Sequence, residues 1–544
     1  MPPNSWLQNY DPFGNAWLST IVAAVPLLLL FYLLAVRRIA AHIAATIAAV
    51  TCALLAVFVF HMPVVMAAGA VASGWVYGIV RVGWVVVAAV FVYELAVESG
   101  HFEIIKHSIG GVTADRRLQV LLIAFAFGAL LEGAGGGGAP VAIAGSMMIG
   151  LGFDPFAAAL LCLIANTAPV GFGGLGNPVR TLNAVTGIPA ATLSAMMGRI
   201  LTLPALILPF WLVRSMCKWN KVRDVWPGLL CAGAAFAFIQ LYWSNYQDYA
   251  LIDIVAGILT LLILTLFFKV WKPATVFRYE SEPGPVASPR RYTTVEVLHA
   301  WSPFLLLAVF VILWGVPAVT RTLDKVSWIG PVPGLDKLDY RMPPVMFKPR
   351  AESAVFDFSW LSTVGTGTFF AGLVSGPLLG LSFRRTWRVF FRTCHKMRYP
   401  MLAIMSMLAL GFTTRYSGMD AVMALAMSNT GPAFPFFGTL IGWLGVALTG
   451  TDAGSNALFG SLQVITANKL GLDPVLMAAA NSAGGVMGKM IAAQSVVVAT
   501  AAVGLQGKEG DLFRKVLPHS IALASLVGVI VYLLSKFGAS WIPH

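Results

Sequence analysis

An acidic residue beside glycine-rich sequence, within otherwise apolar sequence, occurs twice in this chain. Glu132 follows the apolar run 118–131 and precedes Gly133-Ala134-Gly135-Gly136-Gly137-Gly138. Asp452 follows a second apolar run and precedes Ala453-Gly454-Ser455-Asn456, while Lys489 lies in a broken stretch, 484–494. Irregular backbone at membrane depth is tolerated only where it is buried in protein or lines a watery cavity. Charged groups there usually face such a cavity, so these stretches are predicted to form a substrate site.

Composition indicates that the elements holding these residues are membrane helices. The 544 residues are 58% hydrophobic and only 11% charged, with a mean hydropathy of +0.80. Apolar runs near 20 residues recur throughout, as in polytopic helical membrane proteins. The net charge of +13 comes from basic clusters between these runs, which is typical of the positive-inside bias and argues against nucleic-acid binding. Five scattered cysteines without CxxC spacing indicate neither a disulfide framework nor a metal site, and no cofactor is expected.

Charge placement predicts the orientation. The basic segments 37–38, 98–117, 214–225, 269–300, 382–398 and 506–516 should be cytoplasmic. The N-terminus, which has no Lys or Arg before Arg37, and the proline-rich loop 320–359 should be outside. The apolar runs predict about 12–16 membrane segments, several of them too short to span the bilayer.

A weak duplication divides the chain. Ser99-Gly100 recurs as Ser417-Gly418, Glu132 as Asp452, and Leu151-Gly152-Phe153-Asp154-Pro155 as Leu470-Gly471-Leu472-Asp473-Pro474, with nearly constant offsets of 318 to 320. The basic loop 98–117 should be cytoplasmic, whereas its counterpart 413–435 should be external, so the two copies should be inverted. The predicted fold is an all-α polytopic membrane protein with two inverted-topology repeats, each with a re-entrant hairpin and a broken helix.

The predicted organisation has seven parts. They are N-terminal transmembrane helices (1–97), repeat 1 (98–213), connecting transmembrane helices (214–271), an unfolded cytoplasmic linker (272–300), transmembrane helices with the external loop 320–359 (301–412), repeat 2 (413–505) and a C-terminal helix (506–544).

Several motifs resemble the lactate permease family. They are Gln8-Asn9-Tyr10-Asp11-Pro12, Leu131-Glu132-Gly133-Ala134, Asn166-Thr167-Ala168-Pro169-Val170, Arg341-Met342-Pro343-Pro344, Ser455-Asn456-Ala457-Leu458-Phe459 and Gly488-Lys489-Met490-Ile491. The resemblance implies a non-enzymatic transporter of the bacterial cytoplasmic (inner) membrane that imports L-lactate, D-lactate and glycolate by proton symport with alternating access. The sequence departs from the family at Gly137, where an aromatic residue is usual, at Ala492-Ala493, where the family has Ser-Pro, and at Arg180. These departures point to a shifted substrate preference.

A small 2-hydroxy carboxylate needs donors for its carboxylate, a polar partner for its hydroxyl and compensation of its charge. Glycine backbone N–H groups and helix N-termini supply the first, and Lys489 can neutralise the charge. The predicted substrate-binding residues are Gly135, Gly136, Gly137, Gly138, Asn166, Thr167, Ser455, Asn456, Asn481, Ser482, Lys489, Gln494 and Ser495. The alternatives are helix packing by the glycines, interhelical hydrogen bonding by the polar side chains and snorkelling of Lys489.

Glu132 and Asp452 are predicted to couple protons, because a desolvated carboxylate can load and release a proton near physiological pH. The alternative is that each accepts hydrogen bonds from helix-end N–H groups. A sodium-coupled carboxylate symporter of the same architecture is the second functional hypothesis. A membrane-embedded enzyme is the third hypothesis, but the sequence shows neither the nucleophile–base pair nor the metal ligands that it would need.

Overall fold

The computed structural model describes residues 5–37, 39–134, 139–279, 292–345, 348–505 and 508–543. Eight helices in this part of the chain are long and apolar enough to cross a membrane, and two further pairs of helices pass the same test as bent spans. The prediction of a predominantly helical, polytopic protein is confirmed.

The described residues before position 280 contain fourteen α-helices. They are α1 (Ala16–Phe31), α2 (Ala41–Phe58), α3 (Val64–Tyr77), α4 (Trp84–Glu98), α5 (His101–Gly110), α6 (Arg116–Val120), α7 (Gly128–Ala134), α8 (Ala139–Gly150), α9 (Pro155–Ala165), α10 (Gly173–Thr186), α11 (Ala190–Met216), α12 (Trp219–Arg223), α13 (Trp226–Tyr246) and α14 (Ile252–Val270). π-Helical turns join α3 to α4 and α6 to α7, so residues Val64–Glu98 and Arg116–Ala134 each form one continuous span.

The described residues from position 292 onward contain ten α-helices. They are α15 (Thr294–Gly315), α16 (Pro317–Leu323), α17 (Val364–Leu378), α18 (Phe383–Ser417), α19 (Met419–Met427), α20 (Phe434–Thr449), α21 (Asp452–Leu470), α22 (Pro474–Gly488), α23 (Ala493–Ala502) and α24 (Glu509–Phe537). Thr293 and Glu296 form a capping box at the start of α15, which stabilises a helix end by satisfying free N–H groups. The last residues of the predicted unfolded linker are therefore helical, and residues 280–291 lie outside the described part.

The expectation of an all-α chain is wrong in one respect, because short strands occur near the N-terminus and in the loop 320–359. They are β1 (Trp6–Leu7), β2 (Trp328–Pro331), β3 (Asp339–Arg341), β4 (Arg350–Ala351) and β5 (Val355–Phe358). β3 pairs with β1 in parallel and with β4 antiparallel, while β2 and β5 form a second, antiparallel pair. Residues 324–359 therefore form a small folded unit, which we call the cap, and β1 brings the N-terminus to it.

The basic segment 382–398, predicted as a loop, is instead the first half of the 35-residue helix α18. Its Arg, Lys and Met residues are good helix formers, and the Ser382 side chain accepts a hydrogen bond from the Arg385 N–H at the helix start. Arg385 and Arg392 bind Glu98 at the end of α4, at 3.0 and 2.8 Å. The basic residues that favoured a loop therefore lie in a helix, where Arg385 and Arg392 form ion pairs with Glu98.

Contacts among the basic segments place several of them on the same side of the molecule. Arg117, which is fully buried, donates to the carbonyls of Lys221 and Thr275, both at 2.7 Å, and pairs with Asp115 at 2.6 Å. His42 stacks on Tyr399 with ring centroids 4.6 Å apart. Five predicted cytoplasmic regions are therefore joined, 98–117 with 214–225 and 269–279, and the region after Arg37 with the end of 382–398. The ion pairs of Glu98 with Arg385 and Arg392 link these two groups. We call this side the basic side.

The cap gathers the N-terminus and the other helix ends on the far side, which we call the cap side. Gln8 donates to both carboxylate oxygens of Asp339 and to the Arg415 carbonyl at 3.2 Å. Arg415, near the end of α18, binds Glu352 of the cap at 2.8 Å and donates to the carbonyl of Ala184 in α10 at 3.0 Å. The two segments predicted to be external, the N-terminus and 320–359, thus lie together.

The stretches 99–187 and 417–504 share their turn chemistry. Each LGxDP turn contains a glycine with positive φ, Gly152 at 94° and Gly471 at 67°, which only glycine adopts without strain. The next aspartates, Asp154 and Asp473, accept hydrogen bonds from N–H groups in the first turns of α9 and α22, as N-caps do. In each motif the proline after the aspartate occupies the first turn, where its missing N–H costs nothing.

Candidate functional site

Two bent helix pairs frame the centre of the molecule. The axis from α9 into the segment 170–186 bends by 54°, and the axis from α22 into α23 bends by 42°. In the first break, Gly174, Leu175 and Gly176 have positive φ, and the guanidinium of Arg180 donates to the Leu175 carbonyl at 3.1 Å. Broken helices free backbone N–H and carbonyl groups for a ligand.

Glu132 ends up at this break without a complete set of partners. It lies in α7, is 4% exposed, and its Oε2 has no hydrogen-bond partner. A Cβ added to Gly173 would lie 2.8 Å from Glu132 Oε1, so only glycine lets the start of α10 pass this carboxylate. Asn166 lies beside Glu132, yet neither its amide nitrogen nor its oxygen reaches a partner at hydrogen-bond distance. An unsatisfied buried polar group costs about 1–3 kcal/mol, so these groups are suited to a polar ligand.

The second half contributes a buried chain of hydrogen bonds. Ser482 donates to Asp452 Oδ2, and Asn456 donates to Ser482 Oγ at 3.1 Å. Asn481 donates to Asn456 Oδ1 at 2.9 Å, and Gln463 donates to Asn481 Oδ1 at 3.1 Å. All five side chains are at most 3% exposed. Such a network fixes donors and acceptors in one arrangement when its members are satisfied.

The same network reaches the first half. Asn456 Nδ2 also donates to the Pro178 carbonyl in α10 at 3.1 Å. Asp452 Oδ1 is buried and has no partner, so this carboxylate has one oxygen held and one free. α10 and α21 therefore meet, and Asn456 connects the hydrogen-bond network of the second half to the first half of the chain.

Lys489 is the cation of this site. Its side chain is 3% exposed, and Nζ donates to the Gly450 carbonyl at 2.7 Å. The ammonium interacts electrostatically with Glu132 and Asp452, but in the described part of the chain no carboxylate oxygen lies within 4.0 Å of it. Lys489 is directed inward, so the snorkelling alternative is wrong. A buried cation without a direct counter-ion is expensive and can bind an anionic ligand.

Neither of the two carboxylates, Glu132 and Asp452, caps a helix N-terminus in the structure. The N-cap of α21 is Thr451, whose Oγ1 accepts from the Gly454 N–H at 3.0 Å, and Asp452 is the first residue inside the helix. Glu132 lies inside the continuous span Arg116–Ala134, far from its first turn. The two carboxylates therefore occupy different helical positions, although the repeat predicted equivalent ones.

Sequence reasoning missed Asp253, a third carboxylate at the centre. It lies in the first turn of α14, is 1% exposed, and both of its carboxylate oxygens lack partners. It interacts electrostatically with Glu132, and a Cβ on Gly133 would lie 2.8 Å from its Cβ. An aspartate inside the apolar run 250–268 is the signal that could have identified it.

The remaining predicted polar residues differ in their surroundings. Thr167 is buried, but its hydroxyl donates to the Ile164 carbonyl of the preceding helix α9 at 2.7 Å, and Ser455 donates to the Gly442 carbonyl at 3.0 Å. Ser495 Oγ is buried without a partner, whereas Gln494 is exposed beside Gly450. Gly135, Gly136, Gly137 and Gly138 lie outside the described residues.

Two arginines near the site have structural partners. Arg180 lies over the Tyr249 ring at 5.1 Å from its centroid, and Arg199 donates to Asn245 at 2.8 Å and to the Trp541 carbonyl at 2.6 Å. Protein groups therefore satisfy both guanidiniums. Among the described residues, no group of three or more His, Cys, Asp or Glu side chains could hold a metal ion.

The helices long and apolar enough to cross a membrane, together with the buried Glu132, Asp253, Asp452 and Lys489, define a polytopic membrane protein with ionisable groups in its interior. Comparison with known proteins identifies its family. A profile described as L-lactate permease matches residues 19–537, and the chain belongs to the L-lactate permease family.

Three relatives match nearly the whole length of the chain. The L-lactate permease of Salmonella typhimurium (strain LT2) is 44% identical over 540 residues, which are 97% of this chain and 98% of that protein. Glycolate permease GlcA of Escherichia coli (strain K12) is 44% identical over 549 residues, with the same coverage of 97% and 98%. The L-lactate permease of Bacillus subtilis (strain 168) is 40% identical over 563 residues, covering 99% and 100%.

Among solved structures, the YdaH transporter of Alcanivorax borkumensis, described as having an unusual topology, is 16% identical with a TM-score of 0.44. It covers 84% of this chain and 86% of its own.

Proposed function

We propose that this protein is a secondary active transporter of the bacterial inner membrane that imports L-lactate, and also D-lactate, glycolate and similar 2-hydroxymonocarboxylates, by proton symport. The observation that carries the proposal is the presence of a buried lysine, Lys489, together with buried, unpartnered polar atoms of Glu132, Asn166 and Asp452. The names of the relatives, lactate and glycolate permeases, indicate the substrate class.

A 2-hydroxy acid matches this set of groups. Its carboxylate binds Lys489 and free backbone N–H groups at the helix breaks. Its hydroxyl binds the free amide of Asn166, which can both donate and accept. Asn456, held by Asn481 and by the Pro178 carbonyl, keeps the two halves in register around the ligand.

Glu132, Asp452 and Asp253 supply the proton-carrying groups. A substrate anion entering beside three buried carboxylates adds negative charge to a site with one cation, Lys489. Uptake of a proton by one of the carboxylates offsets that charge, so substrate and proton bind together more favourably than either alone. Glu132 is the first choice because it interacts with both Lys489 and Asp253.

Alternating access in this proposal rests on two inverted repeats, each with a re-entrant hairpin. The contact of Glu98 with Arg385 lies on the basic side, next to Ser99-Gly100. Ser417-Gly418, the matching pair, lies on the cap side, where Gln8 donates to the Tyr416 carbonyl at 3.3 Å. Equivalent turns on opposite sides are what an inverted repeat requires. The cap side is proposed to be external and the basic side cytoplasmic.

The deciding experiment is uptake of labelled L-lactate and glycolate into proteoliposomes under imposed gradients. A gradient of one pH unit supplies about 1.36 kcal/mol per proton, so one proton per substrate supports about tenfold accumulation. We expect accumulation that follows the pH gradient and is abolished by a protonophore. Uptake that follows a sodium gradient and ignores pH would select sodium coupling, and no gradient-driven uptake of either acid would refute the transport proposal.

A further inference from the structure

A second polar cavity lies on the cap side, away from the central site. It has a volume of about 280 Å³, near the lower end of the roughly 300–1,000 Å³ of ligand pockets. Its walls come from the cap, from the end of α10, from α18 and from α21, with Arg341, Arg350, Glu352, Arg415, Ser461 and Asn468 as the polar lining. A larger cavity of about 640 Å³ between α2 and α3 is lined by Ala, Val, Leu, Ile and Trp and offers no group for an anion.

The lining of the smaller cavity is positively charged. Glu352 pairs with Arg341 at 3.2 Å and with Arg415 at 2.8 Å, and Arg341 also binds the buried Asp420 at 3.3 Å. Burial alone would raise the pKa of Glu352, but the guanidiniums of Arg341 and Arg415 outweigh it and hold that pKa below its usual value. Glu352 is therefore ionised at neutral pH.

Arg350 is the third arginine of the cavity lining. It is exposed on β4, and in the described part of the chain no carboxylate oxygen lies within 4.0 Å of its guanidinium. Asp339 is no competitor, because burial raises its pKa well above the usual range and Gln8 occupies both its oxygens. Among the described residues, the cavity lining therefore contains three guanidiniums and one carboxylate, that of Glu352. A planar guanidinium fork suits a carboxylate ligand.

Two helices connect this cavity with the central site. α10 carries Pro178, whose carbonyl accepts from Asn456, and reaches the cavity at Val185 and Thr186, about 10–12 Å further along at 1.5 Å per residue. α21 carries Asn456 in the central site and Ser461 in the cavity wall, about 8 Å apart by the same measure. Arg415 ties these parts together by donating to the Ala184 and Val185 carbonyls at 3.0 and 3.2 Å.

We propose that this cavity is an outer binding site in which Arg350 and Arg415 bind a small monocarboxylate before it enters the central site. The proposal rests on the proposed transport of carboxylates. A capture site of this kind raises the local concentration of an anionic substrate, and its effect should weaken as salt screens the charges.

The test uses the full-length protein in proteoliposomes with the cap side outward. Removing one charge at about 5–6 Å from the ligand in a partly hydrated site is expected to raise the KM for L-lactate about three- to tenfold in Arg350→Ala, with kcat unchanged. Arg350→Lys should recover part of the loss. Lys348→Ala removes an equal charge from a neighbouring exposed residue outside the cavity lining and should leave KM unchanged. An unchanged KM in Arg350→Ala, or an equal rise in both alanine variants, would overturn the proposal.

A labelling experiment separates this proposal from the transport proposal. Arg350→Cys and Lys348→Cys are treated with impermeant anionic and cationic thiosulfonate reagents. The background reaction of the protein's own cysteines is measured on the unsubstituted chain. We expect the anionic reagent to react faster at position 350 than at 348, and L-lactate, but not neutral lactamide, to slow that reaction. Equal rates and no protection would overturn the outer site even if transport is normal. Protection without wild-type uptake would refute transport and leave the anion site standing.

Discussion

Replacing Lys489 with glutamine tests whether the buried cation binds the substrate carboxylate. Two charges 4 Å apart interact by about 4 kcal/mol at an effective dielectric constant of 20, and a hydrogen bond to a charged group contributes about 1.5–3 kcal/mol net. Lys489 is 3% exposed and already donates to the Gly450 carbonyl at 2.7 Å, so the lower range applies. Lys489→Gln should weaken L-lactate binding by a factor of about 10–150.

Counterflow exchange measures this affinity without a proton gradient. Proteoliposomes loaded with unlabelled L-lactate take up labelled L-lactate, and the half-saturating concentration is compared between wild type and Lys489→Gln. Lactamide, which is neutral but has the same hydroxyl group, serves as a competitor. Its inhibition constant should change by less than about twofold, because it lacks the charge that Lys489 binds.

The matched control is Lys469→Gln, which removes the charge of an exposed lysine at the end of α21. It should leave both constants unchanged. If Lys489 acts only to balance the negative charges of Glu132 and Asp452, its loss should weaken the binding of lactate and of lactamide by the same factor. That result, or a lactate affinity within twofold of wild type, would refute the role assigned to Lys489.

Four further predictions follow from the same contacts. Glu132→Gln should retain counterflow but lose gradient-driven accumulation and its pH dependence; accumulation at wild-type level would remove Glu132 from proton coupling. Asp253→Asn should lower gradient-driven uptake severalfold while exchange stays within about twofold, since both oxygens of Asp253 are buried without partners; equal loss of both rates would indicate a folding defect. Gly442→Ala should lower the thermal unfolding temperature, because a Cβ there would overlap the Asn481 carbonyl between α20 and α22, whereas Gly150→Ala, with open space around it, should not. Glu352→Gln should remove a pH-dependent part of the stability: the lowered pKa of Glu352 means that its ion pairs stabilise the fold fully above the unfolded pKa of about 4.3 and are lost as pH falls through the folded value. The difference in unfolding temperature between wild type and Glu352→Gln should therefore vanish in acid, and a difference that is constant with pH would contradict this assignment.

The sequence alone determined the class of the protein and much of its local structure. Apolar runs of about 20 residues indicated membrane-spanning helices, because each must match the bilayer thickness, but the predicted 12–16 segments exceed the eight to ten candidate spans of the described residues. The Gly-x-Asp-Pro turns were readable because Gly152, Asp154 and Pro155 act within a few residues of one another. Glu132, Asp452 and Lys489 stood out because charge is rare in apolar sequence.

Only the tertiary structure decided which of these residues share a site. Asp253 and Glu132 are neighbours through the packing of α14 on α7, and Asn456 reaches Pro178 across the two halves of the chain. The cap, with β1 beside β3, and the ion pair of Arg415 with Glu352 also join segments far apart in sequence. Hydrophobic periodicity reports how one helix faces apolar surroundings, but it carries no information about which helix supplies the partner. That choice follows from close packing of the whole bundle, in which side-chain shape and buried hydrogen bonds favour one arrangement.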